Sequence, residues 1–151
     1  MEPWVAAPAL RTHMSYVIKA AVGDTDAPQF EFRAQKTMYG GKGIREKDEI
    51  FIFASENEGG RGLIARGVVT SATPAPVKRK GSKDRVTPRV SINVRRVAKA
   101  KRSLGRTELK LFTDWDDGKP ETELSFKFYR QATNKIGGIS DEAAAFLRKF
   151  F

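Results

Sequence analysis

Lys47–Pro74 reads KDEIFIFASENEGGRGLIARGVVTSATP, and two apolar, β-prone runs stand out in it, Ile50–Ala54 and Leu63–Val69. Between them lies Ser55–Gly62, a polar and glycine-rich connector. Short runs of β-branched and aromatic residues bounded by turn formers are the pattern of strands. The stretch therefore predicts two strands of an all-β core, with the connector held at one end of it.

The connector also carries Gly60-Arg61-Gly62-Leu63-Ile64-Ala65, which fits a loosened GxGxxG/A pattern. Those glycines serve dinucleotide binding only where they open a helix, whose first N–H groups meet the pyrophosphate. Here Arg66-Gly67-Val68-Val69-Thr70 follows, and valines after a glycine favour a strand. A strand connector is the better account, and no cofactor is expected.

A chain of 151 residues makes about one domain, with room for one real core. Its 40% hydrophobic and 30% charged content suits a soluble globular protein. No apolar run approaches the roughly 18 residues needed to span a bilayer, so no membrane partner is expected. Pro3 and Pro8 interrupt the N-terminus, which argues against a secretory signal and leaves a cytoplasmic location as the default. Met14-Ser15-Tyr16 resembles an internal start, making residues 1–13 an N-terminal extension and 14–151 the folded domain. Cysteine is absent, which removes disulfides, thiolate catalysis and cysteine-based zinc sites. His13 is the single histidine, so a Ser-His-Asp triad would need a residue of that extension.

The net charge of +10 is concentrated. Twelve Lys and Arg residues between Lys78 and Arg106 face Asp84 alone, a net +11 that leaves −1 for the rest of the chain. A segment holding the whole excess is the footprint of a surface that meets phosphates. Lys78, Arg79, Lys80, Lys83, Arg85, Arg95 and Arg96 are the candidate phosphate contacts.

Further strands are expected at Ser15–Val22, around Phe30–Arg33, at Arg89–Val97, at Thr107–Phe112 with Leu109 and Leu111 on one face, and at Glu123–Tyr129 with Leu124, Phe126 and Phe128 inward. Ala34–Met38 reads as a short helical piece, and the proline-bracketed, basic Val77–Lys83 as an exposed loop. Ser140 is a good N-cap, followed by Asp141 and Glu142 and closed by Arg148 and Lys149, so a C-terminal helix starts at about Asp141. The sum is a mainly β (α+β) fold, a barrel of about six strands with short helices and a C-terminal helix.

Three short stretches have a familiar order. Tyr16-Val17-Ile18-Lys19, Lys47–Ser55 and Leu63–Val69 resemble successive strands of the PUA-like superfamily, and most closely those of the EVE domain. Phe128-Tyr129-Arg130-Gln131 followed by Ile139-Ser140-Asp141-Glu142 resembles that family's Arg-Gln strand end and closing helix. The chain departs from the pattern at Ala54, where the family often has His, and at Tyr39-Gly40-Gly41-Lys42, which replaces a Trp-centred segment. The basic insertion Lys78–Arg85 lengthens one loop.

The resemblance implies a module that binds DNA or RNA, often holding one base, sometimes modified, in an aromatic-lined pocket. An extruded base offers two π-faces for stacking and a polar edge for hydrogen bonds. The candidate walls are Tyr39, Phe53 and Trp115, and the candidate polar groups Lys19, Ser55 and Arg130. Trp115 stands out because it sits among Asp114, Asp116, Asp117 and Gly118 in a polar loop.

Two other classes compete. A metal-dependent nuclease would use an acidic-x-Lys pattern, matched at Glu108-Leu109-Lys110 and again at Asp117-Gly118-Lys119, but it wants carboxylates clustered on an ion. An interaction domain for an acidic protein would satisfy the basic segment equally well on charge alone.

Overall fold

Val17, Ile18, Ile50, Phe51, Ile52 and Phe53 have at most 1% of their surface exposed, on both faces of their strands. Continuous apolar runs of this kind belong to strands covered on two sides, and parallel pairing goes with such burial. The computed structural model describes residues 14–75, 89–131 and 133–151. It shows β1 (Ser15–Ala20), β2 (Gln29–Met38), β3 (Glu49–Ala54), β4 (Gly62–Pro74), β5 (Arg89–Lys99) and β6 (Lys135–Gly138). They form a closed barrel in the order β1-β3-β4-β5-β2-β6. β1 runs parallel to β3, with Ile18 opposite Ile52, and antiparallel to β6. β6 completes the closure by pairing in parallel with β2.

Two apolar clusters follow from this closure. Tyr16, Ile18, Ile50, Ile52, Phe30, Phe32, Ile92 and Val94 pack together inside the barrel. Val17, Phe51 and Phe53, pointing the other way, pack under a helical layer that supplies Leu109, Leu124, Phe128, Ala143, Ala144 and Leu147. That layer consists of α1 (Arg106–Leu109), α2 (Pro120–Leu124), a π-helical turn at Ser125–Tyr129, and α3 (Asp141–Arg148). In the π turn the Arg130 N–H donates to the Ser125 carbonyl at 2.8 Å, one residue beyond an α-helical bond. Ser140 caps α3 by accepting from the Ala143 N–H at 3.1 Å.

The Gly60–Ala65 pattern opens no helix: β4 begins at Gly62. Gly62 has φ +87°, and a Cβ there would fall 2.3 Å from the Leu104 carbonyl oxygen, so turn geometry and a close backbone approach both require glycine.

Three local expectations are corrected, and one strand is unexpected. Thr107–Leu109 lies in α1 with 110–112 in the turn after it, and Glu123–Tyr129 is helical, so neither stretch is extended. Their alternation spans too few residues to separate two periods. Leu124 and Phe128 are buried at i, i+4, which is helical spacing, while Leu111 is 75% exposed and Phe126 only half-buried. Ala34–Met38 is not helical but the second half of β2, after a bulge between Phe32 and Gln35 where Ala34 has φ +50°. The unexpected strand is β6, Lys-Ile-Gly-Gly, whose glycines carry no β signal. They leave room for neighbours: a Cβ on Gly137 would meet the Phe128 ring at 2.9 Å.

Residues 1–13, and with them the proposed N-terminal extension and His13, lie outside the described residues, as does the basic loop with Lys78, Arg79, Lys80, Lys83 and Arg85.

Candidate nucleic-acid interface

The C-terminal ends of β1 and β3 lie side by side and carry Lys19, Phe53 and, just beyond the strand, Ser55. Each is 1% exposed. The Lys19 ammonium donates to the Phe128 carbonyl at 2.8 Å and stands 4.8 Å from the centre of the Tyr129 ring. Burial draws its pKa below the usual lysine value, with Glu56 opposing the shift. Phe53 meets the Tyr129 ring edge to face at 6.2 Å. The Tyr129 hydroxyl donates to Glu56 Oε1 at 3.1 Å. Burial first, then the Glu56 charge, push the phenol pKa far up, so Tyr129 stays a protonated donor. Glu56 also accepts from the Arg106 N–H at 2.8 Å, tying α1 to this group. Ser55 Oγ is buried with no hydrogen-bond partner among the described residues. Lys135 on β6, 1% exposed, stands 5.3 Å from the Phe128 ring centre and donates to the Thr133 carbonyl at 3.2 Å. Burial, then the charges of Lys19 and Arg130, draw its pKa down to about 8.

Three residues back along the same turn, Phe126 gathers a second group. Trp115 meets it edge to face at 5.2 Å, Tyr39 lies at 6.4 Å, and the Arg130 guanidinium stands 4.2 Å from its centre. Trp115 is 43% exposed, Arg130 is exposed and Tyr39 half-buried. The Lys127 ammonium stands 5.4 Å from the Tyr39 ring and is fixed by Glu123 Oε2 at 3.0 Å and the Gly138 carbonyl at 2.9 Å. Burial raises the Glu123 pKa, but hydrogen bonds from Ser140 and Lys127 more than offset it, leaving the carboxyl below its ordinary value. Lys127 borders two cavities. One, about 340 Å³, runs between Tyr39, Tyr16 and Gly138; the other, about 250 Å³, lies beside Trp115 and Phe126.

The six residues predicted for a base pocket thus form two groups. Lys19 and Phe53, with Ser55 beside them, gather at Tyr129, whereas Tyr39, Trp115 and Arg130 gather at Phe126. Phe126, Lys127, Tyr129, Lys135 and Glu56 did not stand out in the sequence. Phe126 reads there as an inward strand residue, Tyr129 only as part of the Phe128–Gln131 stretch with no site role, and Lys127, Lys135 and Glu56 carry no motif.

Of the candidate phosphate contacts that are described, Arg95 is exposed on β5. Arg96 is held differently, its Nη1 donating to the Asp26 and Ala27 carbonyls at 2.7 and 3.0 Å. The acidic loop has local duties. Asp117 accepts from the Lys119 N–H at 2.9 Å and from Thr122 Oγ1 at 3.1 Å, fixing the start of α2. Glu108 likewise closes the start of α1, accepting from the Gly105 N–H at 2.7 Å. Both acidic-x-Lys matches are therefore helix starts. Among the described residues, no three Asp, Glu or His side chains are placed to hold a metal ion.

The closed, mixed six-stranded barrel with short helices and a C-terminal helix is a PUA-like fold. Solved structures place it further. The chain is similar to human THYN1 protein in complex with 5-methylcytosine-containing DNA, at 15% identity and TM-score 0.62, covering 90% of this chain and 96% of that one. It is similar to the DUF55 domain of human thymocyte nuclear protein 1 at 14% identity and TM-score 0.62, covering 89% and 96%. A hypothetical protein from Leishmania major matches at 15% identity and TM-score 0.58, covering 92% and 95%. The fold is therefore PUA-like of the EVE type along nearly the whole chain. By sequence, no family model matches the chain and no curated protein does.

Proposed function

We propose that this protein is a nucleic-acid-binding module that stacks a single base, modified or plain, on the aromatic group around Phe126. The observation that carries this is Trp115: a large ring 43% exposed, packed on Phe126 beside a 250 Å³ cavity, with the Arg130 guanidinium against the Phe126 ring. An exposed aromatic beside a stacked guanidinium offers the π-faces and the positive charge that an unpaired nucleotide needs. The solved complex of a protein of this fold with 5-methylcytosine-containing DNA supports the choice of ligand.

The test is titration of wild type and Trp115→Ala at fixed salt with matched oligonucleotides, plain and 5-methylcytosine-containing. Base–aromatic stacking contributes about 1–3 kcal/mol, so the variant is expected to lose about ten- to a hundredfold in affinity. Any preference between the two oligonucleotides is expected to vanish with it. Equal affinities in a folded variant would remove Trp115 from the site.

A further inference from the structure

A second concave surface lies at the barrel end formed by the β3–β4 connector and the residues following β5. Leu63 and Ile64 form part of its apolar lining, and Arg61, Lys99, Lys101 and Arg102 supply its cations around a space of about 550 Å³. One acid also lines it, Asp26, and Lys99 takes that carboxylate at 2.8 Å. The other three cations have no carboxylate partner among the described residues. Arg102 is held in place, its guanidinium 4.3 Å from the centre of the Phe150 ring and donating to the Lys149 carbonyl at 3.2 Å. Those contacts fix the plane of the fork and leave most of its five donors unclaimed. Arg61 and Lys101 have no side-chain partner among the described residues. Three exposed cations with no acid among them repel one another weakly across the groove and raise its positive potential. An anion with spaced charges and an apolar body between them relieves that repulsion.

The structure assigns this groove, we infer, to the sugar–phosphate backbone of a bound DNA or RNA strand, with Arg61, Lys101 and Arg102 as the phosphate contacts. The inference rests on the nucleic-acid function proposed above. It uses a surface separate from the Trp115 group and none of the cations of the 78–85 loop. A phosphodiester strand fits better than an acidic peptide, because its charges are regularly spaced and its sugars can cover the half-buried Val22 and Ile64. Such contacts fix position and supply affinity without reading sequence.

The test compares two variants of equal net charge, +8 against the +10 of wild type. One, Arg61→Gln with Lys101→Gln, empties the groove of its two unpartnered cations. The other, Lys47→Gln with Lys110→Gln, removes two exposed lysines outside it. Affinity for one plain oligonucleotide is measured over a range of salt. Each phosphate contact adds about 0.9 to the salt slope, so the groove variant is expected to lose about two units of slope and the control variant close to none. Between about 50 and 200 mM salt, wild type should then lose about tenfold more affinity than the groove variant.

Equal slope changes in the two variants would overturn the groove while leaving nucleic-acid binding intact. So would poly-glutamate competing as well as an oligonucleotide of the same charge, which would make the groove a site for acidic protein. Absence of any binding by wild type would take down the parent function, and the groove with it. Loss of base preference in Trp115→Ala with an unchanged salt slope would separate the two surfaces.

Discussion

Phe126 and Tyr129 leave the same helical turn three residues apart and meet opposite fates. Tyr129 is itself half-buried, but its neighbours are enclosed and tied down: Phe53 and Lys19, each 1% exposed, meet its ring, and its hydroxyl is claimed by Glu56. Phe126 is only half covered, and its neighbours Trp115 and Arg130 stand in solvent. Aromatic content is therefore a poor guide to a binding site. What separates a wall of the core from a platform for a ligand is whether the neighbours of the ring are themselves buried and hydrogen-bonded.

The largest effect should come from emptying the enclosed group. Phe53→Ala, at a position 1% exposed, is expected to cost about 3–5 kcal/mol in urea denaturation, through lost burial and the cavity left behind. A cost below about 1 kcal/mol would mean that this group is no more structural than the open one.

Lys135 sharpens the contrast through pH. Its pKa in the fold, about 8, lies below the 10.5 of the unfolded chain, so between those values the unfolded state binds more protons. Its contribution to stability therefore rises as pH climbs from about 8 to about 10.5. Lys135→Met is expected to be more stable than wild type at pH 7, with the gap shrinking by about 1–3 kcal/mol by pH 11. Denaturation curves of the two proteins at pH 7, 9 and 11 measure it, and a constant gap would show that Lys135 keeps its proton.

Ser140→Ala acts between the two regions, since Ser140 caps α3 and hydrogen-bonds to Glu123, which in turn fixes Lys127. A loss of about 1 kcal/mol is expected from the cap. Thermal denaturation would show it, and an unchanged midpoint would mean that the α3 start is held by packing alone. The smallest stability change belongs to the open group. Trp115→Ala should shift unfolding by about 1 kcal/mol or less, because 43% of the residue already faces solvent and its exposed turn can close over the gap. A loss as large as that of Phe53→Ala would make Trp115 a core residue.

The barrel was legible where its strands obey one rule over enough residues. Ile50–Ala54 and Leu63–Val69 announce β3 and β4, and Val90, Ile92 and Val94 announce β5 by strict alternation. Thr107–Phe112 and Glu123–Tyr129 misled because six or seven residues of mixed apolar and charged character fit both periods, and tertiary packing decides. β6 was invisible because two of its four residues are glycines, retained for the space they leave. For the candidate site, Trp115 was visible through its polar surroundings. Phe126, which gathers Trp115, Tyr39 and Arg130, was not, because nothing local distinguishes a half-covered phenylalanine from a buried one.

β6 also sets a schedule for assembly. Its four residues pair with β1, about 120 positions earlier in the chain, and with β2, about 100 positions earlier. Until Lys135–Gly138 has been synthesised, one edge of each of those strands stays unpaired, and open edges invite pairing with other chains. Contacts so distant in sequence are formed slowly, because a long loop must close before they form. The ring therefore cannot shut on the ribosome before Lys135–Gly138 has emerged, and a chain ending at Arg130 would present two open edges.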